Sequence, residues 1–409
     1  MKKNIENVTI IGTGVIGAGW IIRCLAHNKK VVAYDKDLKL KNGLTSRFYS
    51  KDFPEKYRHT EFLISAGHFL RHDDLYGEHG FTKDNLVMGD SGGFQIASGA
   101  LKWDKSLLEK VFIWLENNSD IAMNLDIPPK IKYEGMYEEC LKISKENFKY
   151  FADKQTGKVD FLNVVQGTNE IEYQHWYDQV QQFPFQGWAV GGGGRNIYAF
   201  MSGVLSLLNG KEHLKKTNKY FHILGISKVS DFLLLNQLQK SLSEVGSDVI
   251  VTTDSSSPDR SVVFGGYYLD YNFKKASFQS INIPKHDDTF KDQVFKYLPV
   301  STEFDREYLR EALTWEDTIE WKSQCTTAMR LHNFMVFKEA IDKAEYYVHS
   351  HDHILTQVLS TDMYNLLKSL DEMVKNDSPT KVFEKYKQLY TKMSNFRKDT
   401  QVKQHSFFE

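Results

Sequence analysis

The sequence predicts an α/β protein: a (β/α)8 TIM-type barrel with an N-terminal βαβ-like extension and a helical C-terminal region. Three observations predict it. Between about residues 60 and 260, short apolar runs alternate with longer amphipathic stretches, as in successive strand–helix units. The runs are nearly continuous in apolar residues rather than alternating, which suits parallel strands buried on both faces. Each run finishes in small or polar residues, the position where a barrel builds its active site. The segments divide into an extension over 1–58, a barrel core over 59–275 and a mostly helical region over 276–409.

The extension opens with "TIIGTGVIGAGW" at 9–20. An apolar strand runs into Gly12, Gly14 and Gly17, the G-x-G-x-x-G spacing, and a second strand, "KVVAYD", ends at Asp35. Each part has a mechanical use in dinucleotide binding. Gly12 makes a tight turn, Gly14 lets backbone approach a pyrophosphate, Gly17 packs helix on strand, and an acidic residue some 20 positions on holds ribose hydroxyls. This stretch resembles the opening of the 3-hydroxyacyl-CoA and carnitine dehydrogenases, which implies NAD. The resemblance stops near residue 38, because "KNGLTSRFYSKDFPEKY" is not a third strand–helix unit. One βαβ unit cannot form the two-half crevice that binds a dinucleotide, so no cofactor is expected. An appended βαβ element, a recombined fragment and a mis-joined reading frame all fit the stretch.

Seven runs then read as barrel strands: "EFLISAGH" (61–68), "NLVMGDSGG" (85–93), "DIAMNLDIPP" (120–129), "DFLNVVQG" (160–167), "GWAVGGGG" (187–194), "FHILGIS" (221–227) and "DVIVTTDSSSPDR" (248–260). Residues 105–117, 136–155, 195–209 and 228–244 carry the helical spacing of apolar residues. An eighth strand is expected at "SVVFGGYYL". Asp90, Asp126, Gln166, Gly191 to Gly194 and Asp254 all fall where strands finish. Any one of these alone reads as a turn or helix cap; five in one pattern read as a site. After residue 275 comes a loop-rich stretch, then long amphipathic helix to about 395.

Composition narrows the class. A net charge of −1 supplies no global positive field for nucleic acid, so any such contact must use local basic patches. The three cysteines, Cys24, Cys140 and Cys325, form no C-x-x-C, so neither a disulfide framework nor a cysteine-rich zinc site is readable. No apolar run approaches the roughly 18 residues that span a membrane, and no signal-peptide pattern is present. These features predict a soluble, cytoplasmic protein.

The strand ends carry a family resemblance. "DSGGFQ" at 90–95 matches a signature of the tRNA-guanine transglycosylase superfamily, "NVVQG" its V-Q-G strand end, and "AVGGGG" its A-I-G-G loop. "DSSSPDR" at 254–260 keeps the Asp, Pro and Arg of its nucleophile segment, and "LHNFMVFKEAI" at 331–341 resembles its C-terminal helix. The matches run in order over roughly residues 60–345.

Exchanging a base on a nucleoside breaks a glycosidic bond through an oxocarbenium-like transition state, which a carboxylate can trap as a glycosyl-enzyme. The resemblance implies that Asp254 is this nucleophile and Asp90 the general acid/base. It implies a purine site built from Ser91, Gly92, Gly93, Phe94 and Gln95, with Asp126 reading the N1–H and exocyclic amine. Gln166 and the N–H groups near Gly192 and Gly193 would read O6, and Arg260 would meet phosphate. The family's zinc site needs a cysteine trio; His332 stands where its histidine would, but Cys325 is alone, so zinc is left uncertain. His349, His351 and His353 in "HSHDH" do not share a helix face and read as a solvated end rather than a metal site.

These losses point away from the tRNA enzymes. They point to the branch, found in phages and bacterial modification clusters, that inserts 7-deazaguanines of the 7-cyano type into DNA. Its target guanosine must be flipped out of the duplex, and its partners are DNA, the free base and accessory modification proteins. The basic run "KEHLKKTNK" (211–219) is a further candidate for phosphate. Base exchange on tRNA and an NAD-dependent dehydrogenase are the alternatives.

Overall fold

The computed structural model describes residues 7–11, 30–34, 39–40, 42–70, 81–129, 134–283, 296–320 and 322–400. Strands β1 (Asn7–Ile11) and β2 (Lys30–Tyr34) pair in parallel with each other, from Asn7↔Lys30 to Ile11↔Tyr34. Gly12, Gly14, Gly17 and Asp35 lie outside the described residues.

Each of the seven apolar runs forms a parallel strand. They are β3 (Glu61–Ser65), β4 (Leu86–Asp90), β5 (Ile121–Met123), β6 (Asp160–Gln166), β7 (Gly187–Gly191), β8 (Tyr220–Ile223) and β9 (Ile250–Thr253). The helical segments after β3 and β4 are short, α1 (Ala66–Phe69) and α2 (Gly93–Ala97). Longer helices follow: α3 (Lys105–Asn118), α4 (Met136–Lys154), α5 (Glu170–Val180), α6 (Ile197–Asn209) and α7 (Val229–Glu244). Asp104 caps α3 by accepting from Leu107 N–H at 2.8 Å, and Asn196 caps α6 from Ala199 N–H at 2.9 Å. The class is therefore mixed α/β with seven parallel strands.

The chain divides into two compact units, one mainly of residues 47–164 and one mainly of 187–409. In the first unit β3, β4, β5 and β6 pair in chain order, with Glu61↔Leu86, Met88↔Ile121 and Ile121↔Asp160 among the partners. Its core includes fully buried Phe151 and Phe161, whose ring centroids lie 5.2 Å apart. In the second unit β7 pairs with β8 and β8 with β9, at Gly187↔Tyr220 and Tyr220↔Ile250. Helix α6 is apolar on all sides and accordingly buried along its length.

The eighth parallel strand expected at 261–269 does not form. Residues Ser257–Val263 make helix α8 instead, started by Pro258 in its first turn. Gly265, at φ +85°, ends it in the left-handed region. The chain then enters an antiparallel hairpin of β10 (Gly266–Asn272) and β11 (Ser277–Asn282). The β-branched pair Val262–Val263 reads as strand but is overruled by the proline before it and the glycine after it.

Beyond the hairpin lie α9 (Trp315–Ile319), α10 (Ser323–Val348), α11 (Asp352–Val358), α12 (Thr361–Lys375) and α13 (Pro379–Thr400). Among the described residues no helix is long and apolar enough to cross a membrane.

Candidate functional site

Asp254 follows directly on β9 in the second unit. Its Oδ1 accepts from the Gly225 N–H at 2.8 Å, and His222 Nε2 lies 3.4 Å from the same oxygen. Gly225 sits at φ +75°, in the left-handed region, and turns its N–H to the carboxylate there. His222 faces this point because β8 and β9 pair His222 with Thr252. The histidine is buried, and its Nδ1 is held 2.9 Å from Thr252 Oγ1. Burial raises the Asp254 carboxyl, but the His222 imidazole and the Gly225 N–H outweigh it, and the group titrates below the ordinary carboxylate range.

Asp254 and Arg260 line one cavity of about 450 Å³, together with Ser257, Phe264 and Tyr268. The elements around the cavity are fixed by α10. Asn333, fully buried, donates to the carbonyls of Pro258 at 3.2 Å and Gly266 at 3.0 Å and accepts from Tyr268 N–H at 2.9 Å. Arg330 pairs with Asp259 at 2.9 Å. One helix thus holds both the start of α8 and the start of the hairpin.

Gln166, Gly192 and Gly193 also lie in this unit. Gln166 ends β6 and is buried. Its amide lies against Gly191, where a Cβ would come within 2.1 Å of Gln166 Nε2. The Tyr173 hydroxyl donates to Gly191 O at 2.6 Å and fixes the end of β7. Gly192 and Gly193 follow in the 3-10 turn Gly193–Arg195, with Gly192 as its cap.

The first unit brings together the other half of the predicted set. Asp90 is the last residue of β4, and Ser91, buried, donates to Asn124 O at 3.1 Å. Gly92 and Gly93 open α2, and a Cβ on Gly93 would stand 2.1 Å from the Asp126 carbonyl oxygen. That approach requires glycine. The Asp126 segment is set by α4: Ser144 Oγ accepts from Ile127 N–H at 2.9 Å, and Asn147 donates to Leu125 O at 3.0 Å. Phe94 is 64 % exposed, while Gln95 is buried and meets His68 Nε2 at 2.7 Å. Burial lowers the His68 pKa.

His332 does not fit a zinc site. Its Nδ1 meets Asp305 Oδ2 at 2.8 Å, its Nε2 meets Tyr268 O at 2.5 Å, and its ring stacks on Tyr267 at 4.0 Å. Both ring nitrogens are already within hydrogen-bond distance of protein oxygens. Cys325 is buried 2.8 Å from Thr318 Oγ1, and burial pushes its thiol up to about 11. Among the described residues no group of three or more His, Cys, Asp or Glu side chains is arranged to hold a metal ion. His349, His351 and His353 are exposed at the joint between α10 and α11, the last two with rings 5.9 Å apart. In the basic run, Lys215 pairs with Glu212 at 2.6 Å and Lys216 with Asp248 at 2.5 Å.

Sequence reasoning passed over His222, Gly225, His68 and Phe264. His222 sits inside the apolar run "YFHI", where a histidine reads as strand filler; only the register with Thr252 reveals its use. No family model matches the chain, and no curated protein matches it.

Two outcomes follow from this geometry. Asn333→Leu leaves one buried N–H and two carbonyls without their partner, at about 1–3 kcal/mol per group. Urea denaturation is expected to show a loss of at least about 3 kcal/mol. For Asp254 the folded carboxyl titrates below its unfolded value of about 3.9. Its contribution to stability is therefore fully present above that value and is lost as pH falls through the folded pKa. The stability difference between wild type and Asp254→Asn, followed by urea midpoints, should be constant above about pH 5 and should fall off towards pH 3.

Proposed function

We propose that this protein is a guanine transglycosylase that replaces guanine in DNA by a 7-deazaguanine of the 7-cyano type. The observation that carries the reading is Asp254, a carboxylate held ionised by His222 and Gly225 at the wall of a polar cavity that also holds Arg260. The reading takes the seven parallel strands as part of a (β/α)8-type barrel, the fold the family resemblance implies.

The chemistry is a double displacement. Oδ1 of Asp254 is occupied by the Gly225 N–H, which leaves Oδ2 to attack C1′ of the flipped-out nucleotide. The C1′–N9 bond breaks as the C1′–O bond forms, and guanine leaves with its bond electrons and a proton from Asp90. The incoming base then loses its N9 proton to Asp90, attacks C1′ and releases Asp254. Asp126, Gln166 and the Gly192–Gly193 backbone read guanine's donor and acceptor edge. Adenine is rejected because it would leave these buried groups unpaired. The reading gives zinc no role at His332, whose ring nitrogens meet Asp305 and Tyr268.

The test is incorporation of labelled 7-cyano-7-deazaguanine and guanine into duplex DNA and into tRNA, side by side. Label is expected in DNA only. Asp254→Asn should reduce incorporation on the order of 10⁴-fold or more, and Asp90→Asn about 10²- to 10⁴-fold. Label in tRNA would overturn the substrate, and undiminished incorporation by Asp254→Asn would overturn the nucleophile.

A further inference from the structure

Arg260 on α8 and Phe264, the C-cap residue of that helix, stand one turn apart, and the Phe264 N–H reaches back to Arg260 O. Side chains at this spacing leave a helix on the same face. Both line the Asp254 cavity. Phe264 is 74 % exposed, and Arg260 is exposed without an ion-pair partner among the described residues. Its neighbour Asp259 does not neutralise it, because that carboxylate is taken by Arg330 at 2.9 Å. A single exposed apolar side chain is ordinary on a protein surface. Here the ring stands beside an unpaired cation at the wall of a cavity whose other residues include Ser255, Ser256 and Ser280.

We propose that Phe264 and Arg260 form a docking surface for the DNA strand on either side of the reacting nucleotide. Phe264 stacks on the base next to the one removed from the duplex, beside Arg260, whose contact with phosphate the family resemblance already implies. The assignment rests on the transglycosylase reading for the identity of the strand. Three features favour a single nucleic-acid strand over a protein partner. A base taken out of a duplex leaves its neighbour with one unstacked face, which an aromatic ring can cover. A guanidinium beside it matches a phosphate. The serine hydroxyls around them are of the kind that bond phosphate oxygens, whereas a protein-binding pocket would present an apolar floor.

The test measures binding separately from catalysis. Fluorescein-labelled single-stranded DNA containing one guanine is titrated by anisotropy with wild type, Phe264→Ala, Phe264→Leu, Phe264→Trp and Arg260→Gln. Matched oligonucleotides carry 2-aminopurine on one or the other side of the guanine. Phe264→Ala and Phe264→Leu should weaken binding about 5- to 150-fold, and Phe264→Trp should bind like wild type. One 2-aminopurine oligonucleotide should be quenched by wild type and not by Phe264→Ala. Arg260→Gln should flatten the slope of log K against log salt by about 0.7, while Phe264→Ala leaves it unchanged.

Unchanged binding and quenching by Phe264→Ala would overturn the proposal. So would wild-type affinity in Phe264→Leu, tighter binding of the same sequence as RNA, absence of any binding by wild type, or a dimer abolished by Phe264→Ala. Strand binding through Phe264 without base exchange would keep this surface and overturn the transglycosylase reading. Base exchange with an unaltered KM for DNA in Phe264→Ala would do the reverse.

Discussion

The carboxamide of Asn333 is the constraint on which the second unit's site depends. It is fully buried on α10 and serves the carbonyls of Pro258 and Gly266 and the N–H of Tyr268. The first of those backbone groups lies in the opening turn of α8 and the other two lie in β10. The adjacent His332 joins Tyr268 O to Asp305, whose Oδ2 also accepts from Ser301 and Thr302 N–H at 3.1 and 2.9 Å. Two neighbouring side chains therefore tie a helix, a hairpin and a loop to one rigid helix. Removing either leaves buried backbone groups without partners, which costs more than the bonds gain. Arg260, Phe264 and the residues after Asp254 inherit their positions from this brace.

The electrostatics of Asp254 rest on strand register in the same way. Pairing of β8 with β9 sets His222 opposite Thr252 and Ile223 opposite Thr253. Thr253 Oγ1 donates to Ile223 O at 2.6 Å, which holds the two strand ends together just before the carboxylate. The turn at Gly225 then delivers an N–H to Oδ1. Burial alone would raise the pKa of this group; a histidine and backbone hydrogen bonds from Gly225 and from Asp254 itself reverse the balance. In the proposed chemistry, the ionised carboxylate would attack the anomeric carbon. A register slip of one residue would turn His222 to the other face and undo it.

Much of this was legible in the amino-acid order, for identifiable reasons. A parallel strand covered on both faces is nearly continuous in apolar residues, so all seven runs announce themselves, and a polar residue closing such a run stands out. Asp90, Asp126, Gln166 and Asp254 were found by that contrast. His222 was not, because its role comes from a neighbour on another strand. Phe264 was absorbed into a run read as strand; its exposure follows from Pro258 and Gly265, which make the segment helix and turn. His332 stood where the family's zinc histidine would, and its partners here, 27 and 64 residues away, are invisible to spacing.

The most direct test of the proposed chemistry is to look for the glycosyl-enzyme itself. Enzyme and guanine-containing DNA would be mixed without incoming base, quenched in denaturant, and run on a denaturing gel, with the adducted peptide located by mass spectrometry. The account predicts a covalent protein–DNA band that chases away when 7-deazaguanine is supplied, with the added sugar on Asp254. An adduct on another residue, or base exchange that proceeds with no adduct at all, would contradict it.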